Sequence, residues 1–107
     1  MGGTSSAPYS SGEQNVAVGR QALKNFSTGN YNTAIGYQAA LNNTSGGGNV
    51  AIGYQANYTN TTSGTNVVIG YVADVSANNA QNQIVIGHEA TGLGDNYAVI
   101  GDSNIER

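Results

Sequence analysis

The chain has 107 residues, which is enough for one domain, and its net charge of −3 includes only three basic residues. So few lysines and arginines disfavour binding to nucleic acid or to anionic membranes, because both need clustered positive charge. The absence of cysteine excludes disulfides and thiolate metal sites, and no apolar run approaches the roughly 18 residues of a membrane span.

The chain divides into three parts. Residues 1–13 carry no repeat and are predicted to be a flexible lead-in. Residues 14–104 are predicted to form a repeat domain, because short motifs of the form Asn-x-Ala/Val-Ile-Gly recur along them at a fixed spacing. Residues 105–107 are predicted to be a cut end that leads to a further C-terminal domain.

The repeat is defined by its glycines, five of which are spaced 17 residues apart with a sixth 14 residues later. They are Gly19, Gly36, Gly53, Gly70, Gly87 and Gly101. The residue before each glycine is aliphatic: Val18, Ile35, Ile52, Ile69, Ile86 and Ile100. Four motifs begin with asparagine: Asn15, Asn32, Asn49 and Asn66. A constant period of this kind predicts stacked units that bury their apolar faces against one another.

Each motif is predicted to be a short β-strand, because its β-branched residues are bounded by turn residues. The first and third residues share one face, and we expect that face, with Val16 and Val18 in the first repeat, to form the inner wall. The middle residues, such as Ala34, are also apolar, so the opposite face is expected to need a neighbouring chain. The segment after each glycine, such as 37–40, is predicted to be a second short strand, and the stacked asparagines to form a hydrogen-bonded ladder.

The predicted fold is therefore all-β, a parallel β-roll or β-solenoid of about six 17-residue rungs. Its interior holds few large side chains, and a domain of this size is marginally stable even with a full core. In a chain without disulfides, association is the simplest way to gain the missing stability, so we expect a homotrimer of β-rolls packed side by side.

Residues 32–41 read Asn-Thr-Ala-Ile-Gly-Tyr-Gln-Ala-Ala-Leu, and five in-phase copies of this sequence pattern span about residues 15–104. The pattern resembles the repeats of bacteriophage tail fibres and tail spikes, and also the head repeats of trimeric autotransporter adhesins. The resemblance implies a left-handed parallel β-roll in a non-catalytic, receptor-facing segment of a trimeric virion tail fibre that mediates host attachment. The alternative is the head domain of an adhesin on the bacterial surface. No cofactor is implied, and the expected ligand is a glycan or protein receptor on the host.

Six aromatic or ionisable positions are candidates for chemistry. Tyr37, Tyr54 and Tyr71 form a column that either binds sugar rings or packs between protomers. His88 continues this column and is either an ordinary packed residue or, in a trimer, one of three ligands of a metal on the threefold axis. Asp95 and Asp102 lie in oxygen-rich turns that calcium favours, although capping of the turns by aspartate is the commoner role.

Two other functional classes are disfavoured. A glycan hydrolase needs two facing carboxylates, whereas residues 25–73 contain no charged side chain. An ice-binding solenoid is expected to carry a regular threonine array, whereas Thr33 is alone at its position in the repeat. The chain is therefore predicted not to be an enzyme.

Overall fold

The computed structural model describes residues 12–62 and 64–102. Most of the predicted lead-in, and the predicted end at 105–107, lie outside the described residues. Gly12 and Glu13 already belong to the stack, because the Gly12 N–H donates to the Ser27 carbonyl and the Glu13 carbonyl accepts from the Tyr31 N–H. Within the described part of the chain we find no helical segment with the length and hydrophobicity of a membrane span.

Six three-residue strands form one parallel sheet in chain order. They are β1 (Val16–Val18), β2 (Thr33–Ile35), β3 (Val50–Ile52), β4 (Val67–Ile69), β5 (Ile84–Ile86) and β6 (Ala98–Ile100). Equivalent residues pair with one another, so Ala34 lies opposite Ala51 and Ile35 opposite Ile52. The six strands form one wall of a β-solenoid of about five turns. The all-β class and the parallel stacking are as predicted. The last turn is shorter, because Ile86 pairs with Ile100.

The glycine after each strand turns the chain at a corner that no other residue fits. Gly36 has a φ of +130°, a backbone conformation that L-residues rarely adopt. A Cβ placed on it would lie 2.6 Å from the carbonyl oxygen of Gly53, its equivalent in the next rung. Backbone conformation and stacking therefore both require glycine here, and this explains the repeat seen in the sequence.

The segment after the glycine is not the second strand that was predicted. It is a pair of tight turns, with the Ala39 N–H donating to the Gly36 carbonyl at 3.2 Å and with Gln38 and Ala40 at positive φ. A chain that alternates in this way between right- and left-handed conformations cannot be extended. Neighbouring rungs are still joined there, since the Ala40 N–H donates to the Ala56 carbonyl at 2.9 Å.

The prediction of the inner wall is also wrong, because the strands face the other way. The middle residue of each strand points inward, and Ala34, Ala51 and Val68 are fully buried. The first and third residues point outward, so that Val16 and Val18 are 47% and 50% exposed. The tight turn after each glycine brings the wall that carries Ala39 close to the strand wall, and the space between them holds little more than methyl groups. Ten of the fourteen residues in the apolar core are accordingly alanines.

Candidate functional site: the strand face and the aromatic column

Among the described residues, the outward side of the sheet is an apolar surface, which we call the strand face. It comprises the first and third residues of all six strands: Val16, Val18, Thr33, Ile35, Val50, Ile52, Val67, Ile69, Ile84, Ile86, Ala98 and Ile100. The side chains at its edges are the most open, and Ile100 is 53% exposed. A row of solvent-exposed β-branched side chains along a sheet is typical of an interaction surface.

A second surface, the aromatic column, begins immediately after the glycine corner and comprises Tyr37, Tyr54, Tyr71 and His88. The ring centroids are 5.4, 5.2 and 5.3 Å apart in that order, with interplanar angles of 14°, 14° and 8°. Each tyrosine side chain is partly open to solvent, from 37% for Tyr37 to 52% for Tyr71. The in-register stacking of the rungs therefore brings together all the aromatic residues that the sequence singled out.

This geometry determines how the aromatic column can bind a partner. Sugar rings usually dock on the flat face of an aromatic side chain. Both faces of Tyr54 and Tyr71 are already covered by the adjacent rings. The tyrosines therefore present ring edges and hydroxyl groups to the outside, at a spacing set by the rungs, and the sugar-stacking mode is closed at these two positions.

A glutamine ladder runs beside the aromatic column and holds its lower rungs in line. The Gln38 side-chain amide donates to Gln21 Oε1 at 2.7 Å, and the Gln55 amide donates to Gln38 Oε1 at 2.8 Å. The backbone supports the same alignment, because the Gln55 N–H donates to the Tyr37 carbonyl at 2.9 Å. These bonds keep the tyrosine backbones in register and so favour the stacked arrangement of the rings.

The asparagines at the start of each motif form a buried ladder from rung to rung. Asn32 Oδ1 accepts the Asn49 N–H at 3.0 Å, and Asn66 Oδ1 accepts the Gln83 N–H at 2.9 Å. The side-chain oxygens thus bind mainly backbone groups of the next rung. The amide group of Asn32 also donates to the Gly46 carbonyl at 2.8 Å, which ties the start of β2 to the turn that precedes β3. Since these groups are buried, the ladder is a structural element and offers no surface to a ligand.

The ladder ends in a cluster that sequence reasoning missed. Gln83 takes the place of asparagine in the fifth rung, and its side chain reaches Ser76 Oγ at 2.7 Å and Asp95 Oδ1 at 3.1 Å. Asp95 also accepts the Gln81 N–H at 2.8 Å. These hydrogen bonds lower the pKa of the Asp95 carboxyl below its ordinary value, and the bond from the Gln81 N–H has the largest effect. Asp95 thus caps a turn, which is the commoner of the two roles that the sequence suggested for it. In the sequence, the only signal of this cluster was that Gln83 stands where the earlier motifs have asparagine.

His88 lies beside the acidic side chain of Glu89, with Nε2 and Oε2 3.3 Å apart. Both side chains are more than half exposed. No group of three or more His, Asp or Glu side chains with the spacing of a metal site occurs among residues 12–62 and 64–102 of one chain. A metal bound by three copies of His88 therefore stays a prediction about an assembly.

Asp74 is a further site that the sequence did not single out. Its carboxylate accepts the Thr59 N–H at 3.1 Å, the Thr59 hydroxyl at 2.5 Å and the Val75 N–H at 2.9 Å. Partial burial raises the pKa of the Asp74 carboxyl, and the hydrogen bonds from Thr59 offset this only in part. The group joins one turn to the turn above it, and its position in the repeat is occupied by Leu23 and Ala40 in earlier rungs.

Two buried amides lie in the interior of the middle rungs. Asn57 is fully buried in the position that Leu23 occupies in the first rung, and among the described residues neither its Oδ1 nor its Nδ2 has a hydrogen-bond partner. Asn43 is also fully buried; its Nδ2 donates to the Gly46 carbonyl, whereas its Oδ1 has no partner in the described part of the chain. Both residues match the glycosylation pattern in the sequence, and their burial makes them inaccessible to such modification in the folded state.

We compared the chain with models of protein families, with curated proteins and with solved structures, and found no match in any of the three comparisons. The fold and the two surfaces therefore carry the functional argument.

Proposed function

We propose that this protein is a non-catalytic structural segment of a homotrimeric fibre, of the kind found in phage tail fibres, and that it takes part in attachment to a host surface. The observation that carries the proposal is the strand face, which places a column of β-branched side chains in water along the whole sheet. The adhesin-head alternative requires the same trimer.

The thin core explains why a partner is needed. The interior of each rung is filled mainly by alanines, which contribute little apolar area to the folding of a single chain. The larger valines and isoleucines of the strand face, such as Val18 and Ile35, lie outside and contribute fully only when they are covered. Association therefore supplies the burial that the solenoid lacks, as expected for a small domain without disulfides.

A partner of the same sequence matches this surface best. The side chains of the strand face repeat at the spacing of paired strands, about 4.8 Å, and a second copy carries the same repeat. Side-by-side packing then engages every rung at once. Threefold closure covers the strand face of each copy and leaves no open end to the association, whereas an unclosed arrangement would produce aggregates.

The turns would then form the outside of the fibre. They are rich in Asn, Ser and Thr and carry no charge between residues 25 and 73. Thr28, Ser45 and Thr62 occupy equivalent positions on three successive rungs and are exposed. A trimer presents three copies of such a wall, so that weak contacts with a neutral surface glycan or a protein receptor add up through multivalency.

Sedimentation at micromolar concentration tests the trimer. We expect the wild-type chain to sediment as a trimer, and Ile52→Lys, which places a charge in the middle of the strand face, to abolish the trimer. Thr62→Lys adds the same charge on the polar turn side and is expected to leave the trimer intact. Circular dichroism shows whether dissociation is accompanied by unfolding. A well-folded wild-type monomer at this concentration would contradict the proposal.

The non-catalytic role has its own test. The trimer is incubated with purified bacterial surface polysaccharides, and the length of the polysaccharide chains is measured by size-exclusion chromatography before and after. We expect retention of some polysaccharides on immobilised trimer without any shortening of the chains. Shortened chains in the wild-type sample would show that the protein is a hydrolase and would refute this part of the proposal.

A further inference from the structure

We infer that the aromatic column lies inside the interface between copies of this chain and is not the surface that meets the receptor. This inference rests on the trimer proposed above and goes further, because it assigns a partner to Tyr37, Tyr54 and Tyr71. In the proposed interface these rings pack against the first residues of the strands of the neighbouring protomer. Those residues, which we call the strand-start column, are Val16, Thr33, Val50, Val67, Ile84 and Ala98.

The orientation of the rings supports this placement. Stacking at 5.2–5.4 Å covers the ring faces within the column and leaves ring edges and hydroxyl groups outside. Rows of methyl groups on a neighbouring sheet complement such edges, and the hydroxyl groups reach the rim, where they bind water or backbone groups. Tyrosine is enriched at protein interfaces for this reason.

The aromatic column also follows directly on the strand face. A single residue, the corner glycine, separates Ile52 from Tyr54, so their Cα atoms are at most about 7 Å apart. The same holds for Ile35 and Tyr37, and for Ile69 and Tyr71. The aromatic column therefore adjoins the strand face along the stack, and the two form one apolar surface that bends at the glycines. A partner that covers the strand face reaches the tyrosines without crossing any charged residue between Asn25 and Ala73.

The strand face by itself has a small area for an interface. Six strands about 4.8 Å apart, each three residues of about 3.3 Å, give a flat strand face of about 29 by 10 Å, or roughly 290 Å². A stable interface buries about 800 Å² on each partner. Inclusion of the aromatic column adds the open parts of Tyr37, Tyr54 and Tyr71, which are 37%, 41% and 52% exposed. The strand face alone is therefore too small, and the aromatic column is the adjoining apolar surface that enlarges it.

Threefold symmetry also favours this contact. In a ring of three copies each protomer meets its two neighbours through two different patches. The strand face has one edge at the strand-start column and another at the glycine corner, followed by the aromatic column. Contact between the aromatic column of one protomer and the strand-start column of the next satisfies this requirement at every rung.

Thiol labelling provides the test, because the chain contains no cysteine. We compare Tyr54→Cys with Thr62→Cys, whose side chain lies on the exposed polar turns. Sedimentation of the same samples verifies that both variants are trimers. In these trimers we expect the thiol of Tyr54→Cys to react with a maleimide at least about tenfold more slowly than the thiol of Thr62→Cys. A factor of ten corresponds to only about 1.4 kcal/mol. Both thiols should react at similar rates in denaturant.

The outcomes separate this inference from the proposed function. If Tyr54→Cys dissociates while Thr62→Cys stays trimeric, the tyrosine is needed for association and the inference is supported. In that case Tyr54→Phe, which keeps the aromatic ring, should form the trimer again. Equal labelling rates in two intact trimers would overturn the inference and leave the trimer standing. Protection that appears only after addition of a bacterial polysaccharide would also overturn it, because the column would then be a ligand face. A monomeric wild-type chain would refute the proposed function itself.

Discussion

The glycine corner provides the sharpest test of the stacking, through the substitution Gly53→Ala. Gly53 has a φ of +132°, and a Cβ on it would lie 2.5 Å from the carbonyl oxygen of Gly70. The atom in the way belongs to the backbone of the next rung, so it cannot swing aside as a long side chain would. Relief of the clash requires the two rungs to separate, which weakens the hydrogen bonds between them.

The size of the effect follows from two costs. An L-residue held in this backbone conformation costs about 1–3 kcal/mol. Forcing a methyl group into a closed contact costs about another 1–3 kcal/mol. The sum of about 2–6 kcal/mol is a large share of the roughly 5–15 kcal/mol that usually stabilises a domain. With a denaturant slope of about 2 kcal/mol/M, the urea midpoint should fall by about 1–3 M.

Gly48→Ala is the matched control. Gly48 also has a positive φ, +71°, but a Cβ there would meet Thr65 only at ordinary contact distances, with the side chain at 3.5 Å and the backbone nitrogen at 3.8 Å. The same position in other rungs is occupied by Gln14, Tyr31 and Thr65, which also have positive φ. We expect this substitution to cost about 1 kcal/mol, the lower end of the penalty for a left-handed conformation.

The assay is urea unfolding followed by circular dichroism, with all variants at one protein concentration, because the stability of an associating chain depends on concentration. If Gly53→Ala unfolds at the same urea concentration as Gly48→Ala, the close backbone approach at the corner does not exist in solution and the stacking argument is refuted.

Three further substitutions test the interior, each by urea unfolding. Asn32→Ala leaves the buried Asn49 N–H without its acceptor and should destabilise the protein by about 1–3 kcal/mol. Asn57→Leu removes two buried unpaired polar atoms, and because Leu23 occupies the same position with nearly the same φ, it should stabilise by about 1–3 kcal/mol. Asp74→Asn should be more stable than wild type at pH 7, and this advantage should shrink as the pH falls to about 3.

The sign of the last effect comes from the pKa of Asp74, which burial raises above its ordinary value of 3.8. The folded state then binds the proton more tightly than the unfolded chain, so the stabilising contribution is complete below pH 3.8 and is lost as the pH rises through the folded-state pKa. Asp95 behaves in the opposite way, because hydrogen bonds lower its pKa. Its contribution is present above pH 3.8 and is lost as the pH falls through the folded-state pKa, so the penalty of Asp95→Asn should be largest at neutral pH.

Each of the three interior substitutions has a control or a contrary outcome. Asn30→Ala removes the exposed side-chain oxygen that accepts the Glu13 N–H, and it should destabilise the protein less than Asn32→Ala does. Equal losses of stability would mean that the buried asparagine ladder contributes no more than an exposed hydrogen bond. A loss of stability in Asn57→Leu would show that the buried amide has a partner in solution. An advantage of Asp74→Asn that stays constant from acidic to neutral pH would show that the carboxyl is not perturbed by burial.

The sequence alone determined the repeat, the class of fold and the positions of the strands. The glycines and the aliphatic residues before them recur at one spacing, and a chain with a fixed period buries its apolar residues by stacking equivalent positions. The same period is sufficient to place Asn32 over Asn49 and Tyr37 over Tyr54. Repetition makes such contacts readable, because equivalent residues of neighbouring rungs are necessarily neighbours.

Only the tertiary structure decided which side of the strand faces inward. Side chains alternate along a strand, so a pattern that is apolar on both sides is compatible with either orientation. The choice depends on the distance between the strand wall and the turns that carry Ala39. That distance is set by positive-φ turns at Gln38 and Ala40, two residue types that do not themselves favour this conformation. Methyl groups fill the narrow interior, and Ile35 and its equivalents are left outside, where a second copy of the chain can cover them.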